Sequence, residues 1–429
     1  MNKEIKTVAV LGASGIIGSL TGGILAQNGI RVYFLSRTRE GSQKGLNRAI
    51  KQARSEVIAK FATCGDYESL FEKACDQADW ILECVAEDMA VKKQMYEKID
   101  AVRRPDSIVS STTSSLPLEE LPQGRSASFC ANFLSTHFYN PPGKMLACEL
   151  TGQSKTDPAV VDFMHQFLEK KLRRVVIPVK PVAAFAGNRL AFLLFARITE
   201  LVQQFGVEMM DYLIGPYTGR LLPPLATIDL VGLDIHKAII LSLQKYTRDA
   251  MHGKLTIPAY VDKMIAAGLL GNKTRGKGGF YKKLESGQFC YYDPASSRYI
   301  PAFGPHIQFV EQAKNQIHIG MYGQAFQTIL NASVPEADIV REIMATYLAY
   351  AYMLVGQATD EKDGIVGIDK VMAAGFHWAC PSLVVHMLGG NQKAAELIQS
   401  AGLAVPGALQ TDTTWRKYYF NAGKYFIAG

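Results

Sequence analysis

The stretch Val8-Ala-Val-Leu-Gly12-Ala-Ser-Gly15-Ile-Ile-Gly18 decides the fold of the N-terminal part of this chain. Three glycines directly follow a short apolar run and precede an apolar helical pattern. Glycines let the backbone turn tightly and approach a pyrophosphate, whose charge is stabilised by the amides and dipole of a helix N-terminus. A structural glycine turn is the alternative. The pattern predicts a dinucleotide-binding turn, whose cofactor-binding residues are Gly12, Ser14, Gly15, Ile16, Ile17 and Gly18.

Outward from this turn, short β-branched runs alternate with longer helical patterns, which is typical of a parallel sheet with crossover helices. After Pro181 strands become scarce and long helical stretches take over. We therefore predict a Rossmann-type α/β domain over residues 1–180, followed by all-helical domains. The predicted strands are Thr7–Leu11, Arg31–Leu35, Trp80–Cys84, Ser107–Ser110, Ala131–His137 and Arg174–Pro178.

The helical part contains two blocks that echo each other. The apolar helix predicted at Ile339–Val355 resembles Leu190–Phe205, and Gly364–Asp369 resembles Leu230–Asp234. The polar composition of residues 284–305 predicts a linker between the two blocks. We predict a degenerate internal duplication with domains at 181–300 and 301–429.

Composition excludes several classes of protein. The 429 residues are 48% hydrophobic and 20% charged, as in globular proteins, and the formal net charge of +7 is dispersed along the chain. Neither nucleic-acid nor membrane binding is implied, and the uncharged stretch Ile343–Thr359 is predicted to be a buried helix. The seven cysteines are odd in number and lack metal-ligand or disulfide spacing, so we expect a cytoplasmic protein without a metal site.

The end of the second predicted strand bears on cofactor choice. Ser36 and Arg37 stand where an acidic residue would bind the adenosine ribose of NAD. A guanidinium at this point can pair with a 2′-phosphate, so NADP is an option beside NAD; a solvated Arg37 is the alternative.

A candidate acid–base pair follows the fifth strand. His137 lies at the end of a predicted strand, where open α/β sheets bind their ligands, and Glu149 begins the next strand-like segment. A histidine can accept a proton from an alcohol as hydride leaves the same carbon, and a carboxylate can orient the imidazole. A satisfied core histidine is the alternative.

The order of these motifs resembles the L-3-hydroxyacyl-CoA dehydrogenase family over about residues 5 to 283. The resemblance rests on the glycine turn, Ser114-Ser-Leu, His137-Phe-Tyr-Asn-Pro-Pro, Gly187-Asn-Arg-Leu, Asp229-Leu-Val-Gly-Leu-Asp234 and Lys273-Thr-Arg-Gly-Lys-Gly-Gly-Phe-Tyr281. The second helical block resembles the tandem C-terminal domain of multifunctional β-oxidation proteins. The resemblance implies helical domains like the C-terminal domain of 6-phosphogluconate dehydrogenase.

It also implies site residues and an activity. Ser114 would hydrogen-bond the substrate's 3-oxygen, His137 would be the base with Glu149 as its partner, and Asn188 would steady the substrate. Glu87 and Lys92 match cofactor-side positions. The implied reaction interconverts L-3-hydroxyacyl-CoA and 3-ketoacyl-CoA with NAD(P), as in fatty acid β-oxidation.

Departures from the family pattern leave alternatives open. The Pro-Gly-Phe usual before Asn188 is replaced by Ala183-Ala-Phe185-Ala. A helical excursion that contacts CoA is shortened to a basic stretch, Lys44–Lys60, which is either a solvated face or a contact for CoA phosphates. A dehydrogenase of a free 3-hydroxy acid and a non-catalytic nucleotide-binding protein are therefore the rivals. The duplicated block predicts a monomer with an internal pseudo-dimer, or a weak homodimer.

Overall fold

The computed structural model describes residues 4–274, 276–414, 419–421 and 424–426. Its contacts divide the chain into two compact units, 1–185 and 186–429.

The first unit is built on an eight-stranded sheet with the strand order β3-β2-β1-β4-β5-β6-β7-β8. Strands β1 to β6 run parallel, β7 is antiparallel to β6, and β8 is parallel to β7. This confirms the predicted Rossmann-type domain. The strands are β1 Thr7–Leu11, β2 Arg31–Ser36, β3 Ala62–Asp66, β4 Trp80–Glu83, β5 Ile108–Ser111, β6 Phe133–Phe138, β7 Ala147–Gly152 and β8 Val175–Pro178.

Helices cover both faces of this sheet. The central strand β1 is wholly buried because Val8 and Val10 enter one hydrophobic core while Ala9 and Leu11 enter the other. Such two-sided burial is typical of central parallel strands. The α-helices of the unit are α1 Ile16–Gln27, α2 Arg39–Ala53, α3 Val57–Lys60, α4 Phe71–Gln77, α5 Met89–Val102, α6 Ala127–Ala131 and α7 Pro158–Gln166.

All six predicted strands are present, each within two residues of its predicted bounds. Strand β3 was not predicted, because its sequence Ala-Thr-Cys-Gly-Asp lacks an apolar run and it lies at the edge of the sheet. Strand β7 was predicted only as a strand-like segment beginning at Glu149, which is in fact its third residue. Between β2 and β3 the chain has only α2 and α3, which agrees with the shortened excursion.

The second unit is mainly helical. Its first α-helices are α8 Gly187–Phe205, α9 Val207–Leu213, α10 Pro224–Val231, α11 Leu233–Tyr246 and α12 Ala259–Ala266. The later ones are α13 Gln308–His318, α14 Tyr322–Asn331, α15 Pro335–Met353, α16 Val366–Val371, α17 Pro381–Leu388, α18 Asn391–Ser400 and α19 Gly407–Thr411. A two-stranded ladder, β12 Tyr419–Asn421 and β13 Lys424–Phe426, follows.

The linker prediction for 284–305 was wrong. Strands β9 Tyr281–Lys283, β10 Phe289–Asp293 and β11 Arg298–Pro301 form a three-stranded antiparallel sheet. The segment is polar overall, so its strands were not recognised. In β10 the burial has the period of two that is typical of a strand, since Cys290 and Tyr292 are buried between less buried neighbours.

The two long helices of this unit, α8 and α15, have the same length of 19 residues and lie side by side in opposite directions. Arg197 on α8 forms a bidentate ion pair with Glu342 on α15, with distances of 2.7 and 3.2 Å. Arg189, eight residues before Arg197 on α8, and Tyr350, eight residues after Glu342 on α15, are also close together. Both donate to the carboxylate of Asp249. Each helix therefore presents its N-terminal half to the C-terminal half of the other.

Two aspartates of this unit, Asp369 and Asp211, cap helices in the same way. Asp369 lies on α16 and accepts hydrogen bonds from the amide and hydroxyl of Ser382 at the start of α17. Asp211 on α9 does the same for the amides of Leu225 and Ala226 at the start of α10. Asp369 and Asp211 thus share a capping role, each at a helix that begins with proline.

None of the described helices combines the length and apolar character needed to cross a bilayer.

Candidate active site

The glycine turn lies at the carboxyl end of β1, where the strand order reverses between β1 and β4. The amides of Gly12 and Ala13 donate to the carbonyl of Leu35, and Gly12 has a positive φ of 86°. A Cβ on Gly12 would lie 2.2 Å from the carbonyl oxygen of Cys84, so only glycine fits between β1 and β4. Ligands of open α/β sheets bind in this crevice.

The N-terminus of α1 offers backbone amides to an anion in this crevice. Gly15 is the N-cap and supplies no side-chain hydrogen bond, and the first turn has no acidic residue. The first amides of a helix lack intrahelical acceptors, and the dipole favours negative charge there. Ser14, Gly15 and Ile16 are exposed, whereas Gly18 is buried with its Cβ position 2.8 Å from the Gly12 carbonyl oxygen. These donors fit the pyrophosphate of a dinucleotide, which is what the sequence pattern predicted.

Helix α2 supports the turn from outside. A Cβ on Gly45 would lie 2.0 Å from the carbonyl oxygen of Ala13, so the helix and the turn are in direct backbone contact. Arg48 donates to the Ser14 carbonyl at 2.9 Å and to the Ser19 hydroxyl at 3.1 Å. Arg48 therefore shapes the phosphate turn. The other basic residues of the stretch, Lys44, Lys51, Arg54 and Lys60, are exposed.

At the end of β2, Ser36 is buried and Arg37 is exposed. The Ser36 hydroxyl donates to the carbonyl of Thr38 at 2.6 Å, which fixes the path of the chain into α2. The Arg37 guanidinium is left at the surface beside the crevice. Tyr67, which was not singled out from the sequence, also belongs here, since its hydroxyl lies next to the Gly12 amide, and burial raises its pKa to about 12.

His137 and Glu149 face each other across two antiparallel strands. They are register partners on β6 and β7, and His137 Nδ1 lies 2.7 Å from Glu149 Oε2. Glu149 is fully buried, and His137 is 6% exposed. The Tyr139 hydroxyl donates to the same Oε2 at 2.8 Å. Burial, followed by the charge of Glu149, raises the pKa of Tyr139, so this hydroxyl stays protonated.

The histidine ring is held between aromatic neighbours. Its centroid lies 4.8 Å from that of Tyr139 and 5.7 Å from that of Phe185. Phe185 and Ala184 both have positive φ, 46° and 58°, a backbone region that favours glycine. The residues that stand in place of Pro-Gly-Phe thus adopt left-handed backbone at two positions without a glycine.

A second polar loop, 112–115, follows β5 at the same edge of the sheet. Ser111 pairs with Ser135, two residues before His137 on the neighbouring parallel strand, so the loop that carries Ser114 leaves the sheet at the same edge as the histidine. One oxygen of Glu87, Oε1, accepts from the Thr113 hydroxyl at 2.6 Å, from the Ser114 amide at 2.8 Å and from both the amide and hydroxyl of Ser115. Glu87 therefore fixes the backbone that carries Ser114.

Lys92 points inward beneath this loop. Its ammonium is buried and lies 2.8 Å from Glu83 and 3.4 Å from Glu87. Burial opposes the charge on Glu87, but Lys92 and the loop donors together hold the pKa of this carboxyl below its usual value. Lys92 acts in the structure as the counter-ion that keeps Glu87 ionised.

Glu83 was missed by sequence reasoning, although it completes the network. Its carboxylate also accepts from the Ser111 hydroxyl at 2.9 Å, the Val85 amide at 2.8 Å and the Tyr96 hydroxyl. The available signal was a carboxylate within the apolar strand Trp-Ile-Leu-Glu, since a charged residue at such a position is buried only when paired.

The fourth residue of the predicted catalytic set belongs to the second unit. Asn188 is the second residue of α8 and is buried at 6% exposure. Among the residues described, no group of three or more His, Cys, Asp or Glu side chains is arranged to hold a metal ion.

Fold and site together are those of the dinucleotide-binding dehydrogenases. The chain belongs to the 3-hydroxyacyl-CoA dehydrogenase family: residues 7–182 match its NAD binding domain and residues 185–283 match its C-terminal domain. The resemblance drawn from the motifs is therefore confirmed.

Relatives extend this comparison. A probable 3-hydroxyacyl-CoA dehydrogenase of Deinococcus radiodurans is 31% identical over 66% of this chain and 84% of its own. One of Bacillus subtilis is 29% identical over 99% of this chain, which spans only 57% of that relative's length.

Solved structures show the same fold. The Mycobacterium tuberculosis protein FadB2 matches 66% of this chain and 100% of its own, with 25% identity and a TM-score of 0.59. A 3-hydroxybutyryl-CoA dehydrogenase of Escherichia coli matches 96% of this chain and 98% of its own, with a TM-score of 0.67. At 16% identity, this second likeness concerns the fold alone.

Replacing Lys92 by Met should destabilise the first unit strongly. Removal of the ammonium leaves the buried Glu83 carboxylate without its counter-ion, a change that costs about 3–5 kcal/mol. Thermal unfolding followed by calorimetry measures the effect. Lys98→Met, on the exposed face of the same helix α5, is the matched control and should change stability by no more than about 0.5 kcal/mol. Equal midpoints for the two variants would contradict the counter-ion role.

Proposed function

We propose that the protein interconverts an L-3-hydroxyacyl-CoA and the corresponding 3-ketoacyl-CoA with NAD(H) or NADP(H), as in fatty acid β-oxidation. The observation that carries the proposal is the buried His137–Glu149 pair, at the same sheet edge as a phosphate-binding turn. The names of the relatives and the match to both family models support the substrate class.

In this reaction His137 is the general base. Because Nδ1 faces Glu149 at 2.7 Å, the neutral imidazole donates from Nδ1 and keeps the lone pair on Nε2 for the substrate hydroxyl. Glu149 then stabilises the imidazolium that forms. A nicotinamide, when bound, supplies the hydride acceptor.

Two further groups orient the substrate in the proposal. The Ser114 hydroxyl donates to the 3-oxygen from a loop whose backbone is already fixed by Glu87, so little ordering remains to be done on binding. We assign Asn188, the second residue of α8, a role in steadying the substrate because the family resemblance implies it. The cofactor's pyrophosphate is held by the first amides of α1 at Gly15, Ile16 and Ile17.

We also propose that unit 2 consists of two copies of one helical domain, at 181–300 and 301–429, and that the protein is a monomer. The equal, antiparallel helices α8 and α15 and the matching roles of Asp211 and Asp369 support the duplication. A dimer contact made through α8 would have to displace α15. All seven cysteines are free thiols, which supports a reducing, cytoplasmic location.

A dehydrogenase of a free 3-hydroxy acid is the second candidate. It is favoured by the short connection between β2 and β3, which contains only α2 and α3. This candidate uses the same His137–Glu149 pair and requires no surface for CoA.

Reduction of acetoacetyl-CoA, compared with free acetoacetate, separates the two candidates. We expect turnover of the thioester with a kcat/KM at least about 100-fold higher, because a site that uses remote binding energy loses rate with truncated substrates. NADH or NADPH oxidation at 340 nm gives the rates. Turnover of the free acid alone would refute the thioester proposal in favour of the second candidate.

Replacing His137 by Ala should lower kcat by about 10²–10⁴, the usual contribution of a general base. The dissociation constant of the reduced dinucleotide, measured by fluorescence titration, should remain within about twofold, since the glycine turn is untouched. His165→Ala, on α7 of the same unit, is the control and should keep full activity. An unchanged kcat in His137→Ala would rule out the mechanism.

Replacing Arg37 by Ala tests the cofactor choice. If Arg37 pairs with a 2′-phosphate, the variant should bind NADPH about tenfold more weakly and NADH unchanged, because only a charge-assisted hydrogen bond is lost. Arg31→Ala, at the opposite end of β2, is the control. A wild-type protein that binds NADH more tightly than NADPH would remove this role from Arg37.

A further inference from the structure

Arg189 follows Asn188 in the first turn of α8, and its charge is buried. The residue is 5% exposed, and its guanidinium forms an ion pair with Asp249. The Nε of Arg189 is buried and has no hydrogen-bond partner among the described residues. The placement of this guanidinium therefore depends on Asp249, because an unpaired buried charge is costly.

Asp249 is itself held by three donors. It lies in the turn after α11, where its Oδ1 accepts from the Met251 amide at 3.0 Å. Its Oδ2 accepts from Arg189 and, at 2.7 Å, from the Tyr350 hydroxyl. Burial raises the pKa of Tyr350, so the phenol is a permanent donor. The side chains of Arg189, Asp249 and Tyr350, here termed the brace, link the start of α8 to α15.

Tyr350 belongs to the second helical block, whose long helix α15 begins with other residues than α8. The second and third residues of α8 are Asn188 and Arg189, whereas those of α15 are Glu336 and Ala337. Of these two helices, α8 thus carries an asparagine and an arginine in its first turn, and α15 contributes Tyr350, whose hydroxyl helps to hold them.

We propose that Asp249 and Tyr350 are positioning residues, which act through Arg189 to hold the first turn of α8 and so fix the side-chain amide of Asn188. This inference rests on the proposed function and adds to it a role for the second block. Neither residue touches the reacting atoms. Through the brace, the Tyr350 hydroxyl of the second helical block becomes necessary for the position of Asn188 in the first helical block.

Tyr350→Phe tests the brace by removing one hydroxyl and leaving the ring in the core. We expect kcat/KM for acetoacetyl-CoA to fall roughly three- to tenfold, because the variant loses about the net contribution of one typical intramolecular hydrogen bond, and the effect on the site is indirect. The dissociation constant of the reduced dinucleotide should not change. Tyr347→Phe is the matched control, because it also removes a buried hydroxyl from α15, one that donates to the Ala379 carbonyl at 2.7 Å.

A double-mutant cycle separates positioning from general stability. In an Asn188→Ala background, Tyr350→Phe should cause no further loss of kcat/KM, because its effect passes through Asn188. Fully additive losses, or equal losses in Tyr350→Phe and Tyr347→Phe, would overturn the proposal.

Amide hydrogen exchange of residues 187–192 tests the brace without relying on activity. Exchange in the first turn of α8 should be faster in Tyr350→Phe and unchanged in Tyr347→Phe. A wild-type protein inactive on the thioester would refute the proposed function, while the exchange result would still show whether the brace exists. Unchanged exchange in Tyr350→Phe would overturn the brace alone.

Discussion

The antiparallel pairing of β6 with β7 is the constraint on which the candidate site depends. In the parallel part of the sheet, neighbouring strands end at one edge and are joined by long crossovers, so strand neighbours are far apart in sequence. The reversal at β7 brings Glu149 opposite His137 after only twelve residues, as direct register partners. The 2.7 Å contact between the two side chains is therefore a product of strand register. A one-residue slip would turn Glu149 to the other face of the sheet.

Around this pair, the sheet edge is held by buried charge. Glu83, Lys92 and Glu87 form a continuous ion-paired network beneath the loop that carries Ser114. Buried ion pairs add little to stability compared with apolar packing, since desolvation offsets their attraction. Their role here is to fix the orientation of the loop. The ionised Glu87 carboxylate accepts hydrogen bonds from three loop residues, and Lys92 keeps this carboxylate ionised.

Local signals in the sequence predicted much of this arrangement. The glycine turn, the six strands and the spacing of His137 and Glu149 each depend on a short stretch of chain, where period and residue type are informative. Contacts between distant segments were not predictable. Arg48 looked like one cation in a solvated helix face because nothing in its neighbourhood indicates that it reaches the Ser14 carbonyl. The partners of Glu83, such as Lys92, come from other parts of the chain and become visible only in the folded structure. Strand β10 was not predicted because its segment is polar overall, although Cys290 and Tyr292 alternate with less buried residues.

The same distinction between local and distant information applies to the predicted echo between the two helical blocks. Gly364–Asp369 matches Leu230–Asp234 by composition, but an aspartate is defined by what it caps, and Asp369 caps the proline-started helix α17 as Asp211 caps α10. Both aspartates cap a helix start, because buried amides at a helix N-terminus need acceptors. The long helices α8 and α15 begin with different residues, Asn188 and Arg189 in one and Glu336 and Ala337 in the other. The link between them is made by side chains far apart in the sequence, since Arg189 of α8 and the Tyr350 hydroxyl of α15 meet on the carboxylate of Asp249. No local pattern indicates this contact, because only the packing of the two helices brings the three side chains together.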